Sequence, residues 1–120
     1  MNVHQPIEPE RTLEEENELY EMANLYPEDT GLPMTIWVSP KGTARHDARV
    51  KVNMAHGKRM TLDNMAVVSI RPEPKVLHGS LKSKDEKLVV QWIRQNQTAL
   101  IDYWNGDMST RTLMRTLVDV

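Results

Sequence analysis

The sequence predicts an α+β fold: a small three- or four-stranded antiparallel sheet, with an N-terminal helix and C-terminal helices packed on one face. Three observations carry this reading. Residues 46–54 alternate apolar and polar side chains, with His46, Ala48, Val50, Val52 and Met54 on one side, which is the period-two pattern of a half-buried strand. Leu88, Val89, Trp92, Ile93, Ala99, Leu100, Tyr103 and Trp104 fall within an arc of roughly 160° at 100° per residue, the stripe of an amphipathic helix. Thr12 followed by Glu15 has the form of a capping box and opens an earlier helix.

Taken in order, residues 1–11 contain Pro6 and Pro9 and no periodicity, which predicts a disordered tail before a single domain over 12–120. The helix from Thr12 places Glu14, Glu15 and Glu16 in its first turn, where the dipole favours anions. It gathers Leu19, Met22, Ala23 and Tyr26 on one side, and Pro27 ends it before a turn-rich stretch to Pro33. Met34 to Val38 reads as a strand with Met34, Ile36 and Val38 on one face. Ser39 to Thr43 is loop, the alternating run follows, and His56-Gly57-Lys58 is a turn. Met65 to Arg71 is a third strand, interrupted by Pro72 and Pro74, and Lys75 to His78 is a short edge strand. Ser83 with Glu86 opens the long helix as a second capping box, and Asn105-Gly106 caps its end. Asp107 or Ser109 then starts a last short helix carrying Leu113, Met114 and Leu117.

A chain of 120 residues and 13.9 kDa suits one core. With no Phe, 8 Met and 3 Trp, that core is built from Leu, Val, Ile, Met and Trp. The absence of Cys excludes disulfides, thiolate metal sites and a Cys nucleophile. No apolar run approaches the ~20 residues that span a bilayer, and the N-terminus lacks the basic start and apolar stretch of a secretory signal. The expectation is a soluble, cytoplasmic protein. Its net charge of −2 conceals an asymmetry: residues 1–30 hold nine acids and one base, a net of −8, while residues 31–120 hold eight acids and fourteen bases, a net of +6. Such a split points to an anionic partner or to an internal electrostatic cover.

The order of a short strand, then His78-Gly79-Ser80-Leu81, then the helix LVVQWIRQNQTALIDYW resembles a family of small bacterial domains of unknown function. In that family a His-bearing strand pair is followed by a Gly-x-Leu turn and a Trp-containing amphipathic helix. The likeness covers about residues 45–105. Here Ala44-Arg45-His46-Asp47 supplies one histidine where the family has two. The resemblance implies no known activity; it associates the chain with relatives near toxin–antitoxin-type genes.

Three histidines, His46, His56 and His78, lie near predicted strand ends, but without the spacing of a metal motif. No Gly-x-Ser-x-Gly and no phosphate-binding glycine loop is present. The sequence therefore assigns no catalytic residue, no metal ligand and no cofactor. Arg45, Arg49, Lys51, Lys58 and Arg59, with Lys41, form a basic cluster that is the candidate anion-binding site; the competing reading is a solvated sheet edge guarded by cations. His46 and Asn96 are candidate pocket-lining residues, Asn96 because it interrupts an apolar helix face. Val90 and Ile101 extend beyond the main arc and offer a homodimer contact. The function expected is a non-enzymatic binding or regulatory module with a protein partner, nucleic acid being the weaker candidate partner and a membrane excluded. The alternative is a small metal-dependent or RNA-acting enzyme, toxin–antitoxin-like, using His46 and its neighbours.

Overall fold

The computed structural model describes residues 22–57 and 64–120. Among them five strands, β1 (Ala23–Leu25), β2 (Ile36–Val38), β3 (Arg49–Asn53), β4 (Met65–Ser69) and β5 (Val76–His78), form one sheet in the order β1-β2-β3-β4-β5. Every neighbouring pair is antiparallel. The helices are α1 (Pro27–Thr30), α2 (Ser83–Gln95), α3 (Gln97–Trp104) and α4 (Thr110–Thr116). None of these helices is long and apolar enough to cross a membrane.

The α+β class stands, and two details of it are corrected. The sheet has five strands rather than three or four. The expected N-terminal helix begins outside the described residues, but its last turn is strand: β1 pairs Ala23 with Val38 and Leu25 with Ile36. That register turns both apolar side chains of β1 onto the core side, and sheet pairing overrides the helical spacing of Met22, Ala23 and Tyr26. Pro27, expected to stop a helix, starts α1 instead, in the first-turn position where its missing N–H costs nothing. The Tyr26 N–H donates to Asp29 Oδ2 at 2.9 Å, and Gly31, at φ 79°, ends the turn.

Cross-strand partners share a face, so the register divides the sheet cleanly. Leu25, Ile36, Val38, Val50, Val52, Ala66 and Val68 face Val89, Trp92, Ile93, Ala99, Leu100, Tyr103, Trp104 and Leu113 in one buried cluster. Val and Leu side chains dried in this way each stabilise the fold by about 1.5–3 kcal/mol.

The second capping box does not form. Lys82 is the N-cap of α2 and makes no side-chain cap bond. The long helix also breaks at Asn96, which is buried. The Asn96 Nδ2 donates to Trp92 O at 2.9 Å and to Val118 O at 3.0 Å, and Oδ1 accepts from the Val118 N–H at 2.8 Å. The amide thus fastens residues 117–120 across the α2–α3 junction, and the Val120 N–H continues to Thr30 O at 3.0 Å. Ser109 caps α4 by accepting from the Thr112 N–H at 3.1 Å. Gly79, in the Gly-x-Leu turn, has φ 74°, and a Cβ there would lie 2.9 Å from Met65 O and 3.0 Å from Ala66 Cα. Glycine is required at that point because the chain leaves β5 hard against β4.

Candidate functional site

The other face of the sheet is built by the same register. Asn24 pairs with Trp37, Trp37 with Lys51, Lys51 with Val67 and Val67 with His78. These five residues form one row across all five strands. Arg49 and Ser69, paired with each other, flank the row on one side, and Asn53 and Met65 flank it on the other. The candidate cations Arg49 and Lys51 therefore stand on one face, two residues apart on β3, as alternation requires.

This face is polar yet far from open. Trp37 is only 8% exposed, Ser69 and Asn53 are buried, and Arg49, Lys51, Met65 and Val67 are half-buried. The Trp37 Nε1–H and the Arg49 Nε–H are both buried and find no acceptor among the described residues. They belong to diagonal neighbours, at a spacing still within reach of long side chains. The face is thus rich in donors: a guanidinium, an ammonium, an indole N–H and the Asn24 amide. Carboxylates complement such a set, and charge-assisted bonds to them are the strong ones. Stacked bases do not, because a ring as covered as Trp37 offers no platform.

The remaining sequence candidates divide. Arg45 is exposed on the loop before β3. That loop is held to the helical layer, since the Lys41 N–H donates to Trp104 O at 2.7 Å and Ala44 joins the core. Arg45 and Lys51 each have an interaction partner. Lys58 and Arg59 lie outside the described residues. His46 rests on Trp104, with ring centroids 5.5 Å apart at 35°, and its Nδ1 lies 3.0 Å from Asp47 O. Asp47 in turn receives Arg71 through both Nε and Nη2 at 2.9–3.2 Å. The Arg71 hydrogen bonds hold the Asp47 carboxyl below its ordinary value of 3.8, and the Ala48 N–H adds to this. Asn96 borders an open hollow of about 300 Å3 with Thr98, Met108 and Val118.

One constellation escaped the sequence reading. His56 Nε2 lies 2.9 Å from Asp85 Oδ2; the histidine side chain is 59% exposed and the carboxylate 6%. Asp85 sits in the first turn of α2. Its place among the buried residues, 29 positions from His56, is visible only in the fold. The three histidines thus have separate neighbours: Trp104 for His46, Asp85 for His56 and the outer row for His78. Among the described residues, no three His, Cys, Asp or Glu side chains converge as a metal would need.

Residues 60–105 match the model of a protein family described as a domain of unknown function (DUF4160). The segment runs through β4, β5, α2 and α3, so it includes the Gly79 turn, Asp85 and Trp92, whereas Trp37, Arg49 and Lys51 precede it. No curated protein and no solved structure matches the chain.

Proposed function

We propose that the protein is a non-enzymatic binding module whose working surface is the outer face of the sheet, and that it holds an anionic polypeptide there. The observation that carries this reading is the pair of buried donors that find no acceptor among the described residues, Trp37 Nε1–H in the strand-crossing row beside Lys51 and Arg49 Nε–H flanking that row. A buried donor without an acceptor costs free energy that a ligand carboxylate recovers. The cover over Trp37 favours a polypeptide over nucleic acid, because bases bind such faces by stacking.

The test is a titration of the 15N-labelled full chain with polyglutamate and, separately, with a single-stranded RNA oligonucleotide. Polyglutamate is expected to shift the Trp37 indole and Arg49 Nε resonances saturably, with an effect that fades as salt rises. RNA is expected to leave the indole unmoved. If neither ligand moves these resonances at low salt, the reading is wrong.

A second reading has one observation behind it. A buried carboxylate orienting an exposed imidazole is an arrangement that transfers protons. Cleavage of the RNA during the titration, lost in His56→Asn, would move the assignment to an RNA-acting enzyme.

A further inference from the structure

Strand β5 ends the sheet on one side, and no strand of the described residues pairs with its far edge. The Lys75 carbonyl accepts from the Ser69 N–H at 2.9 Å and the Lys75 N–H donates to Ser69 Oγ at 3.0 Å, both toward β4. Backbone groups alternate along a strand, so the N–H and C=O of Val76 are turned to the free edge. Val67 pairs with His78 and Val68 with Val76, which leaves Leu77 as an extra residue without a counterpart on β4. A bulge of this kind re-aims its side chain, and Leu77 is 44% exposed. At the opposite edge of the sheet, Leu25 of β1 is fully buried. An open groove of about 670 Å3 lies between Pro74, two residues before β5, and the outer side of α2, where Lys87, Val90, Gln91 and Arg94 line it. The surroundings are basic: residues 75–87 hold Lys75, Lys82, Lys84 and Lys87 against Asp85 and Glu86, and Asp85 is buried on His56. Arg94 is bound to Glu73 at 3.1 Å.

We propose that an acidic polypeptide in extended form adds to β5 as a further strand, exchanging hydrogen bonds with Val76 and laying alternate side chains over the groove along α2. This surface is separate from the Trp37–Arg49 face and stands independently of the reading given to that face. In strand addition the main-chain bonds supply affinity, and the sites for alternate side chains supply selectivity. The register sets the pattern that is recognised. Val76 pairs with Val68 and packs against the core. A partner residue opposite Val76 therefore lies on the helix side, ~4.8 Å farther out. An apolar side chain suits that place, toward Pro74 and the half-buried Val90. Its neighbours on the added strand lie on the other side, with Lys75, which is hydrogen-bonded to Ser69 of the outer face. Carboxylates suit that place, so the recognised segment alternates acidic and apolar residues. The bulge and the three-residue length of β5 confine the pairing to a short stretch, which keeps the edge from templating a fibril.

The probe is a capped hexapeptide of alternating glutamate and valine, titrated into the 15N- and methyl-labelled full chain. Saturable shifts are expected at the Val76 and Leu77 amides and the Val90 methyls, with the Trp37 indole unmoved. The same peptide N-methylated along its backbone keeps its side chains and charge but cannot donate to the edge, and is expected to bind about tenfold more weakly. A lysine–valine peptide of the same length is expected to leave these signals in place. Lys75→Glu is expected to weaken binding of the glutamate peptide about fivefold. Val76→Pro is expected to abolish it, since proline is tolerated on an edge strand where its N–H would face solvent. Should that variant fail to fold, the N-methylated peptide and Lys75→Glu decide. Absence of shifts at low salt, equal binding of the N-methylated peptide, or shifts confined to the Trp37 row overturns the proposal. Sedimentation of the chain alone adds one more outcome: a dimer dispersed by Val76→Pro gives the edge to a second copy and overturns it likewise. The readouts lie at residues other than Trp37 and Arg49, so failure here leaves the outer-face reading to its own test.

Discussion

On one side of the sheet, Leu25, Ile36, Val50, Val52, Ala66 and Val68 are dry beneath Trp92 and its helical neighbours. On the other side, Trp37 is buried and Lys51 and Arg49, at equivalent strand positions, are half-buried. Both faces are therefore withdrawn from water, but by different means. The first is closed mainly by apolar packing, with the buried Trp92 Nε1–H as its one side-chain donor that finds no acceptor among the described residues. The second mixes Val67 and Met65 with polar side chains, and its buried donors at Trp37 and Arg49 have directional needs that no described residue meets. A face of the first kind stabilises the fold; one of the second kind keeps a standing preference for a complementary ligand.

The comparison breaks first at its two tryptophans. Trp92→Ala is expected to cost about 3–5 kcal/mol by chemical denaturation, because a fully buried ring leaves a cavity in a packed core. Trp37→Ala is expected to cost less, about 1.5–3 kcal/mol, the transfer contribution without a rigid cavity. Equal losses would mean that the outer face is packed as tightly as the core, and the distinction between the faces would fail.

A smaller effect tests how the chain passes between the layers. Gly79→Ala is expected to cost about 1–3 kcal/mol, since φ is positive and the new Cβ meets β4 at 2.9–3.0 Å. Gly106→Ala has a similar φ of 81° with nothing within 4 Å, so thermal melts should show the milder loss there. If the two variants melt alike, the contact of the Gly79 turn with β4 carries no weight.

The smallest effect is electrostatic. Asp47 is held below its ordinary value by Arg71, so its contribution to stability is present above that value of 3.8 and is lost as pH falls through the lower, folded value. Both partners are well exposed, so the contribution is minor. Arg71→Gln should lower stability by a small, constant amount from neutral pH down to about pH 4, and the variant and parent should converge as the pH falls further. A loss at pH 7 as large as that of Gly79→Ala would show that the pair organises the β3 entry rather than decorating it.

Much of this was legible beforehand, for reasons visible in particular residues. Period two placed Ala48, Val50 and Val52 inside and Arg49 and Lys51 together outside, because alternation is a property of one strand. Period 3.6 placed Val89, Trp92, Ile93, Leu100 and Trp104 in the core, and it carried across Asn96 without revealing the break. β1 was hidden because three residues are too short to show alternation, while Met22, Ala23 and Tyr26 happen to fit a helix. Trp37 beside Lys51, and Asp85 against His56, were hidden because pairing register and inter-layer contact are not written in local spacing. The Gly-x-Leu likeness pointed to the segment that the family match covers, and the close approach at Gly79 gives that glycine its physical reason.

The clasp formed by Asn96, Val118, Val120 and Thr30 orders events in time during synthesis. Thr30 and Val120 are 90 positions apart (120 minus 30). A ribosome adding roughly 5–20 residues per second separates their appearance by about 5–18 seconds. For that interval the Thr30 carbonyl beside β1 lacks the donor that later fastens it, and Asn96 has no Val118 to hold. The first-made edge of the sheet is thus secured by residues made long after it.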